Sequence, residues 1–242
     1  MTVRLDLEYD GSAFFGWARQ HGTRTVQGEL ERALAVLARE PVRLTVAGRT
    51  DRGVHASGQV ASYEGPLVSA HALNALLPPD LGVRACSAAP DGFDARYDAV
   101  ARSYRYVVMH RRERSVFERG RALWWPHPLD HALLRQCAAL ILGRHDFTAF
   151  TPTQTVHRHF HRAITVSRWT EDGDRLWFEI EADAFLRHMN RVLVGTMLEV
   201  AQHRRSVASF AELLGGATRE HAGPTAPAHG LYLSGVRYEA DG

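Results

Sequence analysis

The sequence predicts an α+β fold: two ferredoxin-like βαββαβ units whose antiparallel sheets are joined around a central cleft, with helices on the sheet faces. Three observations predict it. Strands in which apolar and polar residues alternate open the chain and recur in its second half. Two amphipathic helices follow residues suited to cap them, Thr25 and Asp130. The order strand, helix, strand, strand, helix, strand runs once before residue 100 and starts again at 101, so the expected domains are 1–100 and 101–242.

Val3, Leu5, Leu7 and Tyr9 alternate with Arg4, Asp6 and Glu8, the pattern of a half-buried strand. After Thr25, the residues Val26, Leu30, Ala33, Leu34 and Leu37 fall on one helical face, and Pro41 stops the helix. Val42, Leu44 and Val46 read as a short strand and Gln59 to Tyr63 as another. A short helix near His71 to Leu77 and an extended run from Gly82 to Ala88 complete the first unit. In the second, Tyr104, Tyr106 and Val108 share one strand face, and the helix after Asp130 buries Leu133, Leu134, Cys137, Leu140 and Ile141. Strands at 160–169 and 175–183, a long helix at 185–201, a shorter one at 206–214 and a closing strand from Leu231 to Tyr238 follow.

With 242 residues, 45% of them hydrophobic, the chain is long enough for a substantial core. A net charge of +2 is too weak to argue for a polyanionic partner by itself. The sequence contains no lysine, so all 29 of its Lys-or-Arg positions are arginine. That removes Schiff-base chemistry, a phosphate-loop lysine and a lysine general base, and makes every basic contact a planar fork suited to phosphates and base stacking. The two cysteines, Cys86 and Cys137, belong to no zinc or C-x-x-C pattern. No apolar run approaches membrane-spanning length and the chain starts directly on a strand, so a soluble, cytoplasmic protein is expected. No dinucleotide fingerprint, Walker loop, nucleophile elbow or H-E-x-x-H is present.

The chemistry concentrates in residues 47–60, AGRTDRGVHASGQV. Asp51 two residues before Gly53 is by itself an ordinary turn signature. Its surroundings are less ordinary: a long connection between two strands carries Arg49, Thr50, Arg52, His55, Ser57 and Gln59. A second concentration lies between Arg102 and Arg121, where seven arginines meet only Glu113 and Glu118 and alternate with Tyr104, Tyr106 and Phe117. It reads either as a solvated hairpin or as a surface that follows a phosphate backbone, with aromatics free to stack on bases. His157, His159 and His161 would share a face if they lay on a strand, a polyanion-facing or solvated strand end more than a metal site. His145 and Asp146 read as a turn or cap after Gly143. Finally, the long helix is apolar on two sides, which places Arg191 at least partly inside packing: either its stem packs while its head reaches water, or its guanidinium is buried and needs a carboxylate partner. Asp51 is the candidate partner.

Tyr9-Asp10-Gly11, Phe15-Gly16-Trp17, Thr25 to Gly28, the 47–60 loop, NALLP at 74–78, ARSYRY at 101–106, GRHDF at 143–147, FLRHMNR at 185–191 and GLYL at 230–233 stand in one order along the chain. In that order they resemble the tRNA pseudouridine synthases that modify positions 38 to 40 of the anticodon arm. The resemblance implies that Asp51 is the catalytic aspartate and Arg191 the arginine paired with it. It implies that Arg49 helps expel and replace the target base, that Tyr104 stacks on the target uracil, and that Leu231 forms an apolar wall of the pocket. It further implies a homodimer acting on tRNA, with no metal, cofactor, DNA or membrane. The sequence departs from the family at Asn190, where an apolar residue is usual, and in the segment TPTQTVHRHFHR. A non-catalytic RNA-binding protein on the same units is the alternative; it leaves a carboxylate in a loop facing anionic RNA without a purpose.

Overall fold

A computed structural model describes residues 1–155 and 157–239, and among these it forms an α+β fold of ten β-strands with five α-helices. The chain divides into two compact units: Met1–Arg102 together with the chain from Tyr232 onward, and Ser103–Leu231. The expected boundary at residue 100 therefore differs in one respect. The closing strand belongs to the first unit, because its Tyr232 and Leu233 pair in parallel with His55 and Ala56.

Unit 1 contains β1 (Thr2–Tyr9), α1 (Val26–Ala38), β2 (Thr45–Val46), β3 (His55–Glu64), α2 (Ala70–Asn74) and β4 (Leu81–Ala88), and takes β10 (Leu231–Tyr238, of which Tyr232 onward belongs here) from the chain's end. Their order in the sheet is β4-β1-β3-β10, with β2 also paired to β3. β1 is antiparallel to both β3 and β4, and its alternation is realised: Val3, Leu5, Leu7 and Tyr9 are buried, while Arg4 and Asp6 are half-buried and Glu8 is exposed. Thr25 caps α1 by accepting from the Gly28 amide, and Val26, Leu30, Ala33 and Leu34 are fully buried. The helix ends not at Pro41 but at Arg39, whose φ of 59° turns the chain into the left-handed region. α2 is shorter than its apolar run suggests, because the Asn74 side chain leaves the helix to bond both Val83 N and Val83 O at 2.8 Å. β3 is longer than expected, since β1 and β10 together pair it from His55 onward. His55, Ser57 and Gln59 accordingly stand on a strand and not in the loop.

On the other face of this sheet, Ala47, Val60, Ala95, Ala99 and Tyr238 form a small second core. Tyr238 donates to Ala95 O at 2.7 Å, the Ala95 amide donates to Ser62 Oγ, and Arg102 donates to the carbonyls of Ala47, Ala99 and Arg96. The segment from Ala95 to Arg102 is thereby clamped to the start of the Asp51 loop.

Unit 2 is built from β5 (Ala99–Met109, of which Ser103 onward belongs here), β6 (Leu123–Trp124), α3 (His131–Leu140), β7 (Gly143–Asp146), β8 (His161–Asp172), β9 (Arg175–Ala182), α4 (Met189–Ala201) and α5 (Val207–Glu212). The strand order is β5-β9-β8-β7, and β6 runs parallel beside β5. Asp130 caps α3 through the Ala132 and Leu133 amides, and the helix packs on α4, α5 and β8. Leu134, Cys137 and Ile141 are buried as expected, whereas Leu140 is exposed. α4 starts at Met189, later than the apolar run that begins at Phe185, because His188 adopts a φ of 62°. His157 and His159 precede β8 and do not lie on it, so the expected shared face does not form; the neighbouring Val156 lies outside the described residues.

α4 is buried on two sides, as its pattern demands. Asn190 is only 5% exposed, and its Oδ1 finds no hydrogen-bond partner among the described residues. An unpaired buried carbonyl costs about 1–3 kcal/mol. Asn190→Leu, which keeps the branched shape of the side chain with no polar atom, is therefore expected to stabilise the protein by about 1 kcal/mol. A urea titration checks this: the midpoint should rise with an unchanged slope, and a lower midpoint would contradict it.

Candidate active site

In unit 1 the connection between β2 and β3 is held from beneath by a buried polar network. The Tyr9 hydroxyl and Thr50 Oγ1 are 2.8 Å apart, and Gln59 Nε2 donates to Tyr9 Oη at 3.3 Å and to Gly48 O at 2.7 Å. The Trp17 amide donates to Thr50 O at 3.0 Å. Tyr9, Thr50 and Gln59 are all buried, and burial pushes the tyrosine hydroxyl up to about 12, so it stays protonated and able to donate. Gly48 and Thr50, on either side of Arg49, are thus both tied to the core. Arg49 itself is exposed, and Asp51 follows half-exposed.

Two glycines make the approach possible. Gly16 has a φ of 94°, and a Cβ there would sit 2.8 Å from Thr50 O and 3.2 Å from Asp51 C. A Cβ on Gly11 would lie 2.0 Å from Val54 O. The segment after β1 therefore lies backbone to backbone against the loop. Beyond Asp51 the chain turns: Asp51 O accepts from Val54 N at 3.1 Å around Gly53, whose φ is 77°. The turn suggested by the tripeptide is real, and it is made by the main chain. Arg52 lies over the Phe15 ring at 4.2 Å, and the Gly11 amide donates to Nδ1 of buried His55, whose ring stacks on Tyr232.

In unit 2 the other candidates gather around β5, α4 and the chain from Gly223 to Leu231. α4 and that chain are zipped together. Arg191 Nε donates to Ala226 O at 2.7 Å, the Ala226 amide donates to Arg191 O at 3.0 Å, and the Gly223 amide donates to Thr196 Oγ1. Gly195 permits the contact, since a Cβ there would lie 1.8 Å from Pro224 O. Tyr106 donates to Pro227 O at 2.8 Å, and Gly230 lies against its ring. Burial raises the Tyr106 pKa, with the positive charge of Arg191 opposing, and the same burial lowers that of His229. Tyr104 is 8% exposed, with Phe185 edge-on to its ring at a centroid distance of 4.9 Å. Leu231 is buried at the end of the chain segment. Asp51 and Arg49 thus share one loop of unit 1, and Tyr104, Arg191 and Leu231 belong to unit 2.

The arginine-rich stretch divides. Arg105 pairs with Glu179 at 2.9 Å over the Trp177 ring, Arg111 with Asp174 at 3.3 Å, and Arg114 covers Trp124. Tyr106 is fully buried and is not available for stacking, which corrects its reading as a base platform. Asp146 caps the turn after β7 through the Thr148 amide and hydroxyl. Among the described residues no group of three or more His, Cys, Asp or Glu side chains is arranged to hold a metal ion, and no helix is long and apolar enough to cross a membrane. Sequence reasoning missed the roles of Tyr9, Thr50 and Gln59. The signal available for Gln59 was its place at the start of the run 59–63 read as a strand; in the structure it pairs with Leu7 and is buried with it.

A family model described as tRNA pseudouridine synthase matches residues 7–98 and 137–239. Three curated relatives named tRNA pseudouridine synthase A align over nearly the whole chain. The protein of Bacillus subtilis is 42% identical and that of Bacillus licheniformis 39% identical, each over 99% of this chain and 100% of its own length. A protein of Escherichia coli is 40% identical over 98% of this chain and 89% of its own.

The buried network gives a direct expectation for the loop. Tyr9→Phe keeps the ring and removes only the hydroxyl shared by Thr50 and Gln59. Stability should fall by about 1–2 kcal/mol, and amide hydrogen exchange at Gly53 and Val54 should accelerate more than in α1. Uniform acceleration across both elements would show that the hydroxyl has no local hold on the loop.

Proposed function

The chain belongs to the tRNA pseudouridine synthase family, and from that premise we propose that it isomerises uridine to pseudouridine at positions 38, 39 and 40 in the anticodon stem-loop of tRNA, with Asp51 as the catalytic carboxylate. The observation that carries this reading is the half-exposed Asp51 on a loop whose flanking backbone is tied to a buried polar network. Rigid mounting of a reactive group is what catalysis at one sugar carbon requires. Each unit is read as ferredoxin-like; the order β4-β1-β3 with β2 on β3, and the order β5-β9-β8, support that.

The reaction breaks the bond from uracil N1 to C1′, turns the detached base and joins its C5 to C1′, with the C5 proton released and N1 protonated. No electron is gained or lost overall. Asp51 acts either as nucleophile at C1′ or as the base that removes a proton so that a glycal forms; both routes need its carboxylate free of a proton. Arg191 is the cation paired with it, and a planar guanidinium suits that task because it offers two parallel donors and never loses its charge. The target base must leave its stack to be reached. Arg49, exposed beside the carboxylate, takes the place of the expelled base, Tyr104 supplies the surface on which the uracil rests, and Leu231 closes the pocket with apolar contact. The protein acts in the cytoplasm as a homodimer without a cofactor.

Tritium release from tRNA carrying C5-labelled uridine tests the assignment. Asp51→Asn should bind tRNA with near wild-type affinity and lose at least about 10³-fold in turnover; unchanged release would sink it. Sequencing for pseudouridine in tRNA from cells with and without the protein should show loss at positions 38 to 40 alone. Arg191→Leu should lose both turnover and stability, because Ala226 O loses its donor as well. Wild-type melting and wild-type rate in that variant would remove Arg191 from the site.

A further inference from the structure

The connection between β5 and β6 is not absorbed by the catalytic reading, and it has a construction of its own. Its base is stapled to the turn between β8 and β9. Arg111 reaches Asp174 and also donates to the carbonyls of Glu113 and Arg114, folding the chain back on itself. The His110 amide donates to Asp174 O at 2.7 Å, and Glu118 pairs with Arg175. Trp124 Nε1 donates to Arg111 O, and Arg114 stacks over the same indole at 4.5 Å. Glu118 O then receives the amides of Arg121 and Ala122.

What this scaffold presents is unusual. Val116 and Phe117 stand at its tip 79% and 87% exposed, the two most exposed large apolar residues together with Tyr97 among those described. Arg112 and Arg119 flank them, both exposed and without an ion-pair or hydrogen-bond partner among the described residues. One of the two acidic residues of the loop, Glu118, is already neutralised by Arg175. A tethered loop that leaves an aromatic ring and two guanidinium groups in water carries a surface complementary to nucleic acid, where the ring stacks on an unpaired base and the forks take phosphates.

We propose that Arg112, Phe117 and Arg119 form a tRNA-gripping finger, which holds a phosphodiester segment and stacks Phe117 on an unstacked base away from the uridine that reacts. The proposal rests on the reading of the protein as a tRNA-modifying enzyme and adds a second point of contact to it. The finger contributes affinity and not chemistry, so its loss acts on KM and leaves kcat in place.

Two variants test it on the full-length protein, with unmodified tRNA transcript as the probe: Phe117→Ala, and Arg112→Ser combined with Arg119→Ser. Phe117→Ala should weaken binding about five-fold or more. The double serine variant should lower the slope of log affinity against log salt by roughly 1.4, for two phosphate contacts at single-stranded density. Both should keep wild-type melting and wild-type tritium release at saturating tRNA. Wild-type affinity and salt slope in both variants would overturn the finger while leaving the enzyme assignment intact; failure of the wild-type protein itself to bind tRNA would instead overturn the reading beneath it. If light scattering showed that the variants change subunit association and not RNA affinity, the loop would be a protein interface and the proposal would fall.

Discussion

The hydrogen bond between Tyr9 and Thr50 sets the terms for everything built on unit 1. On the proposed reading, a carboxylate that acts at one carbon needs a fixed backbone beneath it and a side chain that substrate can reach, which full burial would deny. The fold separates the two demands by one residue. Thr50 is buried and bonded, and Asp51, next in the chain, is half-exposed. Gln59 repeats the arrangement on the other side of Arg49 by holding Gly48 O. The polar network is satisfied by side chains from β1 and β3, so the rigidity of the sheet passes directly to the loop.

Unit 2 solves a different problem with the same economy. α4 buries residues on two sides, and a helix so enclosed leaves little room for a charge. Arg191 is accommodated because its backbone carbonyl and its Nε both engage Ala226, which fixes the chain leading to Leu231. One arginine thereby anchors a segment through both its main chain and its side chain. Gly195 and Gly230 allow that segment to approach α4 and Tyr106 closely, and a side chain at either position would collide with it.

The arginines illustrate why charge counted along a sequence overstates a binding surface. Of the seven between residues 102 and 121, Arg105 and Arg111 are engaged by carboxylates of the β8-β9 hairpin, Arg102 by main-chain carbonyls and Arg114 by an indole face. Guanidinium groups serve as structural forks as readily as they serve phosphate recognition. Only the tertiary arrangement separates the two uses; Arg112 and Arg119, on either side of the exposed Val116 and Phe117 in sequence, are among the exposed remainder with Arg121.

Periodicity by itself determined the inward face of β1 and of α1 and, Leu140 excepted, that of α3, because alternation and the 3.6-residue repeat are local consequences of backbone geometry. Capping by Thr25 and Asp130 was equally local. The motif order along the chain is likewise a property of the sequence alone, and it marks the family. Tertiary structure alone decided that β10 joins unit 1, since a strand's alternation fixes its two faces but not its neighbour. It decided that β3 begins at His55, because pairing with β1 and β10 extends a strand past the point where its apolar pattern fades. It decided, too, that Tyr9, Thr50 and Gln59 form one network. Residues at positions 9, 50 and 59 meet only when β1 and β3 lie side by side, and no property of the chain read in sequence order carries that distance.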